Sequence, residues 1–581
     1  MDKDAVAAIL KEIGVFLELK GENPFKTRAY VNGARIIEGL TEPLETLIKE
    51  ERLGEIKGIG GALVEKITEL VETGKLEYYD ELKGSIPPGL IEMLDINGMG
   101  PKKVKAVHEK LKIKTIKQLE NACKKGEVAE LDGFGKKSEE KILEGIEFKS
   151  QHASHHHRHK MLLVAEPILG DLRSHPDVIR CDIAGSLRRG KEVSGDIDFL
   201  VSAKKSENII KAFTTQEGIL SILASGNTKA SVLLEEGIQA DLRVVDDSEF
   251  ASALAYFTGS KEHNIVMRSR AISRGLRLNE YGLFKSNEET RDPKLRLKCK
   301  TEEDIFSALD LAYVPPELRE DRGEFEAAEN NNIPQLIEWT HLKGSLHNHS
   351  NWSDGKETLE EIATHMSGLG LAYWAITDHS KASFQANGLD SDRGKKQIKE
   401  ITTLNKKLED EGTDFRLLSG IEVDILKKGL DFDDELLNKL EVVVASMHLA
   451  GSDEKDNTKR LIKAAENPNV HMLGHLSGRL LLERGPQKLN QLAVIDACAE
   501  TGTWIELNAN PYRLDLDWRH WQYAKTQGVK CVINCDAHRI EHAGFLRIGT
   551  DIARKGWLTK SDVINTLPLP KLLNELKRKR S

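Results

Sequence analysis

The stretch GSLRRGKEVSGDIDFLV, residues 185–201, sets two carboxylates into an otherwise apolar run. Asp196 and Asp198 are two apart in DIDFLV, and side chains along a strand alternate, so both point to the same face. Charge on such a face is costly unless it is paired or binds a metal. Farther on, ADLRVV at 240–245 places Asp241 in a second strand-like run. Three carboxylates converging from adjacent strands hold two divalent ions, and two ions suit in-line phosphoryl transfer. Gly185-Ser186 and Arg188-Arg189, just upstream, fit a turn that cradles a polyphosphate. An acidic loop beside a surface arginine pair would not explain two carboxylates on one apolar strand.

The pattern G-S-x-R-R-G…G-D-x-D resembles the nucleotidyltransferase palm of the family X DNA polymerases. A second block, YFTGSKEHNIVMRSRAISRGLRLNEYGLF at 256–284, resembles that family's nucleotide-binding segment. By itself YFTGS is only an aromatic pair before a turn. The resemblance implies Asp196, Asp198 and Asp241 as the catalytic carboxylates, with two Mg²⁺ or Mn²⁺ ions. It implies that Gly185, Ser186 and Arg189 bind the nucleotide, and that Tyr256, Phe257 and Gly259 line the sugar pocket. Asn264 would lie over the incoming base, and Arg268 would approach the template in the minor groove.

Upstream, three stretches share one frame: KGIGGALVEKI at 57–67, NGMGPKKVKAV at 97–107 and DGFGKKSEEKI at 132–142. In each, Gly-x-Gly precedes an amphipathic helix, whose first N–H groups are free to meet a phosphate. The repeat resembles the helix-hairpin-helix motif, which grips the DNA backbone without reading sequence. Gly58, Gly60, Gly98, Gly100, Gly133 and Gly135 are then the DNA-binding glycines, with Lys102 and Lys103 adding phosphate charge. A single copy would read as an ordinary helix cap. The same region resembles the family's lyase domain, and Lys66 falls where that family has its Schiff-base lysine. A second lysine of that pocket is replaced here by Ala62, so Lys66 reads first as a solvated helix lysine.

From 341 the chain alternates strand-like and helical segments, as in a barrel or parallel sheet. The strand-like runs are LKGSLHNHS, AYWAITDHS, FRLLSGIEVDI, EVVVASMHL, NVHMLGHLS, TWIELNAN and VKCVINCDAH. All but the sixth, which ends at Asn508, end in groups able to bind metal. Such ends meet at the working face of a β/α barrel. A cluster of histidines and carboxylates of this kind suits two or three Mn²⁺ or Zn²⁺ ions that hydrolyse phosphate esters. The order and spacing resemble the PHP domain of bacterial polymerases. That resemblance carries over to His347, His349, Asp354, His379, Glu422, His448, His475, Asp536 and His538. The family's usual H-T-H-S stands here as H-N-H-S, a change at a non-ligand position.

Composition fits this division. The chain has 581 residues and a net charge of −9, so any nucleic-acid surface is local. Residues 101–125, with nine lysines and two glutamates, are such a place. Six scattered cysteines form no disulfide framework and indicate a reducing compartment. We expect the N-terminus to be a charged amphipathic helix rather than a signal peptide, and no run is long and apolar enough for a membrane span. We expect a monomeric, cytoplasmic, nucleoid-associated protein acting on gapped or primed DNA and dNTPs, without a membrane partner.

The expected fold is multidomain: all-α helix-hairpin-helix domains, an α+β palm and thumb, and a (β/α)7-type PHP barrel. Its expected parts are a lyase-like domain at 1–84, a fingers-like domain at 85–150 and a palm at 151–245. A thumb-like domain at 246–315, a linker at 316–340 and a barrel at 341–575 complete it. The HASHHHRH run at 152–159 lacks carboxylates and reads as a solvated linker rather than a metal site. The expected activity is gap-filling DNA synthesis with PHP-dependent 3′–5′ exonuclease; AP-site processing is left open. Two competing readings are a PHP phosphatase of small phosphate esters with a regulatory DNA-binding half, and a non-catalytic repair scaffold.

Overall fold

The structure, a computed structural model, describes the chain except residues 2, 39, 41, 97, 153, 287, 580 and 581. Asn97 at the head of the second Gly-x-Gly stretch, Ala153 and the His152 side chain in the histidine run, and the end of the basic tail lie outside the described residues. The chain divides into two units: residues 1–153 with 482–484, and the remainder. No described helix is long and apolar enough to cross a membrane.

The first unit is helical because its apolar residues recur at helical spacing. Val6, Leu10, Ile13 and Leu17 form one stripe of the helix Lys3–Lys20, and each is at most 1% exposed. The buried stripes merge into one core running from Val6 to Ile146. That interior continues across the expected boundary at residue 84.

The second unit begins with a five-stranded sheet in the order Val178–Ile183, Asp196–Ala203, Gln239–Val245, Lys229–Leu234, Ile219–Ser225. The two strands carrying the aspartates are parallel neighbours, and the other pairings are antiparallel. Helices Phe250–Thr258 and Lys261–Ser273 follow. The stretch 316–340, expected as a linker, is packed instead. It holds the helix Glu324–Glu329, and Arg319 and Glu324 are 0% exposed. Its polar composition misled because these charges have partners. Arg319 Nη1 pairs with Glu302 at 2.6 Å, and Glu324 accepts from the backbone N–H groups of Asp321 and Arg322.

The histidine run also departs from the solvated linker expected of it. His156–His157 pairs antiparallel with Val193–Ser194, and His157 Nε2 lies 3.0 Å from the Leu481 carbonyl. The rings of His157 and His159 pack edge-on against Tyr512 at 4.8 and 5.1 Å. Burial, then neighbouring His157 and Lys160, pushes His159 down to about 4, so it is neutral at physiological pH.

The C-terminal part is a barrel of seven parallel strands. In spatial order they are Gly344–Ser345, Tyr373–Ile376, Arg416–Leu426, Val442–Ser446, Met472–Leu473, Trp504–Asn508 and Cys531–Asn534. A bridge between Asn348 and Ala537, and a 2.7 Å bond from the Leu346 N–H to Asn534 Oδ1, bring the last strand beside the first. The barrel is therefore nearly closed. Its strands are almost continuously buried because both faces are covered, as in parallel sheets generally.

Candidate active sites

In the palm sheet, Asp198 is in register with Asp241, and Asp196 with Gln239. In-register neighbours point the same way, so the three aspartates share one face. Burial and then its carboxylate neighbours raise both members of the first strand, Asp198 to about 7. The face is thus short of positive charge. Lys229 Nζ lies 3.5 Å from Asp241, and Gln239 Nε2 donates to Asp241 at 3.0 Å. The sequence reading did not pick out Lys229.

Gly185 has φ +64°, and a Cβ there would lie 2.1 Å from Asp198 Oδ2. Only glycine lets the turn close over the aspartate in this way. Ser186 hydrogen-bonds Ser194. Arg188 is held by Glu302 at 2.7 Å, and Arg189 by Glu320 at 3.0 Å and by the Thr258 carbonyl. Burial opposes ionisation of Glu302, but Arg319 and Arg188 hold it down at about 2. Neither glutamate stood out in the sequence, where each is one of many in a polar stretch.

The thumb block supplies a narrow cleft lined by Tyr256, Asn264 and Arg268. Asn264 Nδ2 donates to the Tyr256 carbonyl at 2.7 Å, and the exposed Arg268 caps the Asn264 carbonyl at 3.3 Å. Phe257 lies under the Arg243 guanidinium at 4.4 Å. At Gly259, with φ +70°, a Cβ would sit 3.1 Å from Arg189 Nη1.

In the helical unit, Gly60 and Gly100 cap the helices Gly61–Thr73 and Pro101–Leu111, while Gly58 and Gly98 adopt φ of +100° and +91°. The third stretch differs: both Gly133 and Gly135 are left-handed, ahead of the helix Lys136–His152. Cβ positions at Gly60, Gly98, Gly100, Gly133 and Gly135 meet nothing within 4 Å, so these turns are open to a partner. Lys102 is exposed. Lys103 turns inward to Ser138 Oγ at 2.7 Å and over Phe134, tying the second hairpin to the third. Lys66 lies 4.8 Å above the Tyr78 ring, with Lys26 at 5.7 Å from the same ring.

The barrel brings all nine of its expected ligands together. Ligand atoms of His349, Asp354, His379 and His538 lie within 4.8 Å of one another, as do those of His347, His349 and Glu422, and of His379, Glu422 and His448. His475 Nε2 is 3.0 Å from Glu422, and His349 Nε2 is 3.1 Å from Asp536. Burial opposes ionisation of Glu422, but His448, His379 and His347 hold it far below the usual carboxylate range. His347 Nε2 and His349 Nδ1 are buried and make no hydrogen bond, and His379 Nδ1 and Glu422 Oε2, also buried, have only each other at 2.7 Å. Orphaned polar atoms are costly singly, and two of them in a buried cluster of histidines and carboxylates fit a metal centre.

Two supporting carboxylates were missed. Glu506 lies 2.7 Å from His347 Nδ1, and Asp424 lies 2.8 Å from His448 Nδ1, each fixing a ligand ring. Asp378, adjacent to His379, accepts from Ser350 and Gln397 and shapes the loop. Glu506 is two residues before Asn508 and Asp424 two after Glu422. The alternation applied at Asp196 and Asp198 would have found both.

Five family models match the chain. They are a helix-hairpin-helix domain at 1–76, a SAM-like helix-hairpin-helix tandem at 90–147, the DNA polymerase beta palm at 158–262, the DNA polymerase beta thumb at 253–320 and the PHP domain at 345–510. A DNA polymerase/3′–5′ exonuclease PolX of Bacillus subtilis (strain 168) is 37% identical over 582 residues, covering 100% of both chains. A probable phosphatase of Thermoanaerobacter sp. (strain X514) is 28% identical over 242 residues, 37% of this chain and 94% of that protein. DNA polymerase lambda of Rattus norvegicus is 26% identical over 289 residues, 46% of this chain and 48% of that protein.

Proposed function

Because the chain belongs to the PolX family of DNA polymerases with 3′–5′ exonuclease activity, we propose that its two carboxylate-rich centres divide synthesis and degradation between them. The protein is a metal-dependent DNA polymerase of gap-filling type with a PHP exonuclease, and DNA is its substrate. Synthesis falls to Asp196, Asp198 and Asp241, which would hold two Mg²⁺ or Mn²⁺ ions. Bound there, the ions would activate the primer 3′-oxygen and neutralise the departing pyrophosphate. The turn at Gly185, Ser186 and Arg189 takes the triphosphate of a dNTP. Tyr256, Phe257 and Gly259 line the sugar, Asn264 faces the base and Arg268 reaches toward the template.

Degradation falls to the barrel. His347, His349, Asp354, His379, Glu422, His448, His475, Asp536 and His538 would hold two or three Mn²⁺ or Zn²⁺ ions. These would supply a metal-activated water at neutral pH for phosphodiester hydrolysis. Glu506 and Asp424 keep His347 and His448 in the tautomer that offers Nε2 inward. The glycine turns at Gly58, Gly60, Gly98, Gly100, Gly133 and Gly135, with Lys102, hold the DNA backbone. Lys103 serves mainly to join two of those hairpins. Lys66 over Tyr78 keeps the place of a lyase lysine. The working divisions are 1–84, 85–150, 151–245, 246–315 and 341–575, in a monomer at the nucleoid of the cytoplasm.

The parallel register of Asp198 with Asp241, with Asp196 on the same face, carries the polymerase reading. Asp196→Ala or Asp198→Ala should abolish incorporation on a gapped duplex and leave 3′ degradation intact. Extension at the wild-type rate by either variant would exclude the assignment.

A further inference from the structure

Glu320 is shared by three cations from two different parts of the second unit. Arg189 Nε, in the nucleotide turn, is 3.0 Å away, and Lys191 Nζ is 3.3 Å away. Lys555 Nζ, at the end of the barrel helix Phe545–Lys555, is 2.6 Å away. The Lys555 side chain is 0% exposed and lies 4.5 Å over the Trp518 ring. Its ammonium also donates to the carbonyls of Arg189 at 3.0 Å and Glu317 at 3.2 Å. All three of its donors are therefore in use. On the other side of the turn, the Leu187 carbonyl is taken by Arg158, which pairs with Asp551 of the same barrel helix at 2.9 Å.

This arrangement has a direct bearing on nucleotide binding. Arg189 gives Nε to Glu320 and Nη1 to the Thr258 carbonyl, so it turns its full fork to a triphosphate only by leaving that carboxylate. If Arg189 were that carboxylate's only partner, leaving it would strand a poorly solvated charge, which is strongly unfavourable. Lys555 and Lys191 remove that obstacle, because Glu320 stays neutralised when the guanidinium swings away. A buried lysine kept only for packing would be an odd choice, since an apolar side chain fills the same space without a desolvation cost.

We propose that Lys555, a residue of the nuclease barrel, is a positioning residue for nucleotide incorporation: it neutralises Glu320 and so releases Arg189 to the incoming triphosphate. The barrel is thereby part of the polymerase's nucleotide-binding apparatus, apart from its own hydrolytic chemistry. This rests on the reading of Arg189 as a triphosphate ligand.

The experiment uses the full-length protein on a duplex with a one-nucleotide gap, measuring KM for dNTP, kcat and 3′–5′ exonuclease rate. In Lys555→Met, Glu320 keeps only the longer 3.3 Å contact with Lys191 beside Arg189, which is then held more tightly, and KM for dNTP should rise roughly tenfold with kcat and exonuclease within about twofold of wild type. In the double variant Lys555→Met/Glu320→Gln the competing charge is gone, and KM should return to within about threefold of wild type. An unchanged KM in the single variant overturns the proposal. So does a loss of kcat, KM and exonuclease together that the double variant fails to repair, which would mark a purely structural lysine. If the single variant does not fold, the double variant decides: a folded double with KM still raised tenfold refutes the charge exchange. Arg189→Gln separates the underlying reading, because an unchanged KM there removes Arg189 as the ligand whatever Lys555 does.

Discussion

Replacing Gly185 by Ala adds one methyl group and should separate the two activities. The added Cβ would stand 2.1 Å from Asp198 Oδ2, where ordinary contact begins at 3.4 Å. Asp198 or the turn must then give by more than about 1 Å, because close-packed atoms do not interpenetrate. The backbone at φ +64° adds strain of about 1 kcal/mol for any residue with a Cβ. That is small beside the stability of a domain, so the protein should fold. A misplacement of about 1 Å at a reacting centre costs on the order of 100-fold in rate, or about 2.7 kcal/mol of barrier. Single-turnover incorporation into a one-nucleotide gap should fall by roughly that factor. Exonuclease on a 3′-labelled strand should stay at the wild-type rate, since its groups lie in the barrel core. Incorporation within about threefold of wild type in a folded Gly185→Ala protein would refute the view that glycine is required by Asp198.

The same logic extends elsewhere. Gly98→Val/Gly100→Val places β-branched residues at φ +91° and at a helix cap, so affinity for gapped DNA should drop about tenfold and the salt dependence should flatten; binding titrations at two salt concentrations with the wild-type slope and affinity would sink the phosphate-grip reading. His347→Ala/His349→Ala should lose bound metal by elemental analysis together with exonuclease, while incorporation persists; full metal content would show the pair to be structural. Prolonged chelation followed by Mn²⁺ addition should remove and restore both activities, and exonuclease surviving exhaustive chelation would contradict the metal reading of the barrel. Glu302 is held at about 2 against an ordinary 4.5, so its pairing with Arg188 and Arg319 stabilises fully above the unfolded value and is lost as pH falls from 4.5 toward 2. About 3 kcal/mol is at stake, and unfolding curves of Glu302→Gln that run parallel to wild type across that window would disprove it.

Local patterns in the sequence make much of this protein legible. Alternation placed Asp196 and Asp198 on one face, and the strand-end spacing of histidines and acids placed nine groups at one mouth of a barrel. The first follows from the period of a strand and the second from the alternation of strand and helix, and neither needs knowledge of what packs across them. Gly-x-Gly before an amphipathic helix is equally local, and Gly58, Gly98, Gly133 and Gly135 do take the backbone angles that other residues avoid.

What the chain alone could not show were partnerships across long stretches of sequence. Glu506 lies 159 residues from His347, and Lys555 lies 235 residues from Glu320. The same holds for 316–340 and the histidine run, which look solvated by composition because Arg319, Glu324, His157 and His159 are polar. They are buried because Glu302, His263 and Tyr512 arrive from elsewhere to satisfy or cover them. Composition reports what a residue would cost to bury alone, and only the tertiary structure supplies the partner that cancels the cost.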